Sequence, residues 1–268
     1  MSAGPLRPLE EERRSCRLGT RIFWREECLS TQLEAHALAA AGAAHGTLVV
    51  ARRQSAGRGR AGRSWHSAGG GLYLSLLLRP DLPAARYASL TLLVGAGVLE
   101  ALCELGIDAH AKWPNDLLLR RQPAGPLGAW RKVAGILVEG VTGPRGLEGA
   151  VVGIGLNVSP PPGGFPAELI DLAAALTEER PELDEHMVLR QLLTTLEDRL
   201  AFPAEEKTLA TALDVLRRRS ATLGHMVRAN DEGVSGLAVD FDTDGALLVQ
   251  QPSGERVRVV AGDVLPLP

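Results

Sequence analysis

Two segments, Val133 to Glu139 and Ala150 to Val158, are almost wholly apolar between Gly and Pro breakpoints, and this texture restricts the fold more than any other feature of the chain. A strand with one wet face alternates; one that is apolar at nearly every position needs cover on both faces of its sheet. Leu117 to Leu119, Leu72 to Leu78, Thr47 to Val50 and the short Ile22-Phe23 pair read as further strands. Helical spacing runs through Ser89 to Leu105, and the Ala-rich run Leu33 to Ala41 follows a Ser30-Thr31-Gln32 start. Ala167 to Ala175, Met187 to Leu200 and Ala204 to Arg218 continue the helical pattern, whereas Arg121 to Arg131, with its prolines and glycines, reads as a long loop. From Gly224 onward the chain changes to short alternating strands with Asp244-Gly245 and Ser253-Gly254 as hairpin turns. The expected architecture is α+β: a frayed polar lead-in over 1–20, a mixed β-sheet packed with helices over 21–220, and a small β-barrel over 221–268.

With 268 residues and 45% hydrophobic content the chain can bury a substantial core. A formal net charge of -3 opposes a general grip on nucleic acid. Cys16, Cys28 and Cys103 form no C-x-x-C, which points to a reducing, cytoplasmic setting. The N-terminus has no apolar signal core and no later run approaches membrane-spanning length, so neither export nor a membrane partner is expected.

The chemistry concentrates in Gln54 to Trp65, which alternates glycine with arginine and closes on an aromatic ring. Backbone amides around Gly57, Gly59 and Gly62 can turn toward an anion, and Arg58, Arg60 and Arg63 supply planar forks for its oxygens. A solvated Arg/Gly loop is the bland alternative. Flanking strands exclude a dinucleotide fingerprint, which must pass from strand to helix, and the chain contains no Gly-Lys pair of a Walker loop. No H-E-x-x-H, paired cysteines or G-x-S-x-G occurs, which argues against zinc and α/β-hydrolase chemistry, and the loop residue His66 reads as incidental.

Of 29 cationic side chains only Lys112, Lys132 and Lys207 are lysine, so an ammonium is either required at Lys112 and Lys132 or retained there by chance. Trp113-Pro114 presents Asn115 and Asp116 at the mouth of a strand, where Asp116 could hold magnesium, orient an amine or simply cap a turn. Gly153 and Gly155 in an apolar strand mark a close approach, with Asn157 facing a ligand or capping a bulge.

Taken in order, Gln54 to Trp65, Lys112 to Asp116, Lys132 to Leu137 and Gly153 to Val158 resemble the signature set of biotin-protein ligases. The resemblance spans residues 21 to 265 and implies that the C-terminal module is SH3-like. It implies a two-step reaction: biotin and MgATP give biotinoyl-AMP, and a lysine of a biotin carboxyl carrier protein then takes the acyl group. By that resemblance Lys132, Arg58, Asp116 and Lys112 are catalytic. Ser30, Thr31, Gln54, Gly57, Arg58, Arg60, Trp65, Lys132 and Gly135 bind biotin, and Arg58, Arg60, Arg63, Trp65, Asn115, Lys132 and Asn157 bind the nucleotide. The winged helix of repressor-type members is missing, so ligation without operator binding is expected, with a homodimer as one possible assembly. A lipoate-protein ligase-like acyltransferase is the rival within the class, and a single-strand nucleic-acid binder using Trp65 for stacking is the rival outside it.

Overall fold

The computed structural model describes residues 4–80, 82–120, 130–144, 146–200, 206–229 and 233–267. In chain order the elements are α1 (Arg7–Glu12), β1 (Arg21–Arg25), α2 (Thr31–Ala40), β2 (Thr47–Ala51), β3 (Gly71–Leu78), α3 (Leu90–Glu104), β4 (Ala109–Lys112) and β5 (Asp116–Arg120). Then follow β6 (Trp130–Gly143), β7 (Gly146–Asn157), α4 (Glu185–Arg199), α5 (Glu206–Arg218), β8 (Met226–Ala229), β9 (Val234–Phe241), β10 (Leu247–Gln250), β11 (Arg256–Val259) and β12 (Val264–Pro266).

Seven strands form one sheet in the order β1-β2-β3-β7-β6-β5-β4, parallel only between β1 and β2. The two-residue period sorts its side chains. Leu48, Val50, Leu72, Leu74, Leu76 and Leu78 join the main core with α3, while Val49, Leu77 and Val151 meet Ala35 and Ala39 of α2 on the other face. Helix α3 is buried around most of its circumference because the sheet, α4 and α5 all pack on it. Gly97 makes the closest helix approach possible, since a Cβ there would stand 2.8 Å from Leu196 Cδ2. Arg86–Glu104 is long and apolar enough to cross a bilayer by length and composition, contrary to the sequence expectation, but it is the central core helix here, 67% buried. On the opposite face α2 has only ten residues, roughly 15 Å of helix, and leaves much of the sheet for another purpose.

Three sequence expectations need correction. The lead-in is not frayed over residues 4–20: Leu6, Leu9 and Leu18 join the main core, and buried Arg13 donates to Leu18 O, Leu193 O and Glu197. Its polar composition hid three well-spaced leucines and one buried arginine clamp. Ala167 to Ala175 is not a helix but a run of turns, because backbone groups on both sides of Ala173 are engaged by β6, with Lys132 N donating to Leu172 O and Ala174 N to Lys132 O. Trp130 and Arg131, read as loop, begin β6; the remainder of that stretch, 121–129, lies outside the described residues, as do 204–205 at the start of the expected last helix.

The C-terminal module is an antiparallel sheet of five strands in the order β11-β10-β9-β8-β12, whose end strands are not paired with each other. Its hairpin turns fall where expected, with Gly245 at φ 91° and Gly254 at φ 89°. The module is fastened to the rest of the fold by Trp113, in the β4–β5 turn, whose Nε1 donates to Gly245 O at 3.0 Å, and by Arg217 of α5, which binds Asp240 and Phe241 O.

Candidate active site

The face that α2 leaves uncovered is floored by glycine. In the β6–β7 ladder Gly135 pairs with Gly155 and Leu137 with Gly153, so the near-continuous apolar runs are apolar toward α3 and glycine-rich on the other side. Over this floor folds a small hairpin. Gly59 N donates to Arg63 O, Trp65 N to Gly57 O, and Arg58 bridges Ser64, with Arg60 to Gly62 at the tip. Gly57 is obligatory, since a Cβ would meet Trp65 O at 2.5 Å and Ser67 Oγ at 2.7 Å. The Trp65 indole lies directly on the floor: Cβ atoms at Gly155 and Gly135 would come within 2.5 and 2.8 Å of its ring. Only glycine lets the aromatic ring approach the strands this closely.

Between hairpin and floor is a cavity of about 130 Å³, bordered by α2, β3, β6 and β7. One end carries amide and hydroxyl groups. Thr31 N and Oγ1 both reach Gln54 Oε1, Gln54 Nε2 donates to Ser67 Oγ, and Ser75 Oγ bridges Thr31 Oγ1 and Gln32 Oε1. Ser30, the N-cap of α2, points no hydrogen bond into its helix; its Oγ is buried without a partner. The Trp65 Nε1 is likewise buried and unpartnered. Buried polar atoms left open cost roughly 1–3 kcal/mol each, a cost that a bound ligand can remove.

The other end is ionic. Lys132 Nζ is 2.7 Å from Asp116 Oδ1, an ion pair lacking hydrogen-bond alignment, and lies 5.0 Å from the Trp65 ring centroid. Asn115 Oδ1 accepts from Arg60 Nη1 at 2.7 Å, and Asn115 Nδ2 donates to Ile136 O at 3.1 Å. Arg63 turns outward to Asp263 of the C-terminal module at 2.9 Å. No carboxylate lines the cavity itself, and no group of three or more His, Cys, Asp or Glu residues suited to a metal occurs among the described residues.

Ser30, Thr31, Gln54, Arg58, Arg60, Arg63, Trp65, Asn115, Lys132 and Gly135 all border the cavity. Others do not. Lys112 lies in register with Asp116 but faces a recess beside Leu216 and Phe241. Asn157 is 8% exposed and donates to Ala174 O, which makes it a tie between β7 and the turn that follows. Arg58 borders the cavity, but its guanidinium pairs with Glu139, seven residues along β6 from Lys132. Gln32, Ser67, Ser75 and Glu139 were not singled out as site residues in the sequence, because isolated polar side chains carry no spacing signal. His66 is exposed.

The slot thus has an uncharged polar end, a lysine and arginine end and an aromatic cover. Residues 28–157 match the model of the biotin/lipoate A/B protein ligase family, and 222–265 match the biotin protein ligase C-terminal domain. The chain is similar to the bifunctional ligase/repressor BirA of Bacillus subtilis, 39% identical over 254 residues, covering 92% of this chain and 74% of that protein. It is 34% identical to the biotin--[acetyl-CoA-carboxylase] ligase of Mycobacterium tuberculosis over 98% of this chain and 97% of that one. The solved biotin protein ligase of Aquifex aeolicus in complex with biotin and ATP superposes with a TM-score of 0.76 at 30% identity, covering 91% of this chain and 97% of that one. The chain belongs to the biotin/lipoate A/B protein ligase family and carries the catalytic and C-terminal units of its biotin protein ligases.

Proposed function

We propose that this protein joins biotin to AMP at the glycine-floored slot and passes the biotinoyl group to a lysine of a biotin carboxyl carrier domain. The observation that carries the reading is the pair of ends of one cavity: unpartnered Ser30 Oγ with the Thr31–Gln54 amide set at one, Lys132 with Arg60 at the other. A ureido ring both donates and accepts hydrogen bonds, and the first end offers both kinds of group. Lipoate has a dithiolane ring there and would leave these groups unsatisfied, which is why biotin fits better.

In the first step a biotin carboxylate oxygen bonds to the α-phosphorus of ATP, the bridging bond to the β-phosphate breaks, and pyrophosphate leaves. The approach of two anions must be offset, and Lys132 and Arg60 are the cations at that end of the slot. Asp116 holds the Lys132 ammonium in place, and Asn115 holds the Arg60 fork. In the second step the neutral acceptor amine bonds to the acyl carbon, the acyl C–O bond to AMP breaks, AMP departs and the amine releases a proton to solvent; Asp116 would orient that amine once Lys132 turns to phosphate. Among the described residues no group of three or more His, Cys, Asp or Glu is arranged to hold magnesium. Magnesium would therefore arrive on the nucleotide.

A cavity of about 130 Å³ falls below the roughly 300–1,000 Å³ of ligand pockets. Trp65 must therefore lift from Gly135 and Gly155 as biotin enters, then cover the mixed anhydride against water. The test is to incubate the protein with biotin, ATP, magnesium and a carrier domain and weigh the carrier. One added biotinoyl group on its acceptor lysine is expected; an unmodified carrier, or modification only when lipoate replaces biotin, overturns the reading.

A further inference from the structure

We infer that Glu139 is a positioning residue that holds the Trp65 hairpin over the slot by anchoring Arg58. Glu139 stands on β6 four residues beyond Gly135, on the same face, so the strand that floors the slot also carries the anchor. Its Oε1 is 3.2 Å from Arg58 Nη2, and its Oε2 is 3.3 Å from His36 Nε2 of α2. Arg58 is on the first strand of the hairpin and bridges Ser64, immediately before Trp65. Gly57 O also accepts from Trp65 N. A pull on Arg58 is thus transmitted through one backbone bridge to the indole. The hairpin tip, by contrast, is steadied by Arg63 on Asp263, which belongs to the C-terminal module and not to the floor.

This arrangement divides the arginines. Arg60 stays with Asn115 beside Lys132, available to phosphate, whereas Arg58 serves as a strut at the opposite end. The strut's strength suits a cover that must open. Side-chain exposures of 43% for Arg58 and 27% for Glu139 make it a partly solvated pair, strong enough to bias the hairpin and weak enough to release it.

The inference deepens the ligase reading and rests on it only for the biotin measurement. The experiment is a double-mutant cycle with Arg58→Gln, Glu139→Gln and the double variant, with Glu139→Asp as the conservative replacement. The rate of tryptic cleavage after Arg60 and Arg63 is followed in ligand-free protein, and the rate of biotin release is followed in the same set. Each single Gln variant should speed both by about three- to fivefold, the size a partly exposed ion pair supports, while the double variant is no worse than either. Glu139→Asp should recover part of the loss, and the melting temperature should not move. Independent, additive effects, or cleavage and release unchanged in Glu139→Gln, overturn the inference. Wild-type protein that holds no biotin would instead sink the ligase reading, and the ligand-free cleavage cycle would still decide the strut.

Discussion

On its α3 side the seven-stranded sheet is sealed by leucine and valine; on its α2 side the same strands present Gly135, Gly153 and Gly155 beneath a hairpin carrying arginine and tryptophan. Alternate residues of β6 and β7 therefore serve different ends. Ile136, Val152, Ile154 and Leu156 supply burial, worth about 1.5–3 kcal/mol per fully buried aliphatic side chain. The glycines between them supply space. The lesson is that stability and chemistry are separated by the pleat, one residue apart, so substitutions at neighbouring positions should fail in opposite ways.

The largest effect should come from the ionic end. Lys132→Arg keeps the charge but replaces a compact ammonium with a wide fork beside Asp116, and we expect the adenylation rate to fall by about 10²–10³-fold without loss of stability. Pyrophosphate release measures it, and near-normal turnover would show that charge alone suffices. On the core side Ile154→Ala should cost about 2–5 kcal/mol in urea unfolding while turnover per folded molecule persists. One residue along, Gly155→Ala should do the reverse: its methyl would meet Trp65 at 2.5 Å, raising the KM for biotin by about tenfold with little change in melting. If Gly155→Ala unfolds the protein, or Ile154→Ala abolishes turnover of the folded fraction, the division between the faces fails.

Ser30→Ala sharpens the same contrast at smaller scale. Its Oγ has no partner in the ligand-free protein, so removal should leave stability unchanged or slightly raised while weakening biotin by about 1–2 kcal/mol, readable by calorimetry. Smallest of all, Asp263→Asn removes a pair that is 59% and 41% exposed, and we expect no more than about 1 kcal/mol in any step.

Much of this was legible beforehand because it rests on local pattern. Most strands, α3, α4 and the C-terminal hairpins follow from periodicity and turn residues, and the Gly/Arg segment, Lys132 and Asp116 were singled out by motif, although the hairpin form of that segment was not. What stayed hidden depends on pairs distant in sequence. Arg13 with Glu197, Arg58 with Glu139 and Lys132 N with Leu172 O span 184, 81 and 40 positions, and no local signal announces them. Gly153 and Gly155 marked a close approach in the sequence, but the cross-strand pairing of Gly155 with Gly135 and the Trp65 ring that lies on both are long-range facts with no local signal. Strand β12, of three residues, is too short to show a period.

The most direct test of the central claim, that one slot makes and then shelters an acyl-adenylate, is a single-turnover reaction without acceptor. Protein mixed with biotin, ATP and magnesium is passed rapidly through a desalting column and its bound small molecules are weighed. The account predicts one burst of pyrophosphate equal to the protein and one equivalent of biotinoyl-AMP retained. Steady pyrophosphate release with no retained adenylate, or no release at all, would contradict it.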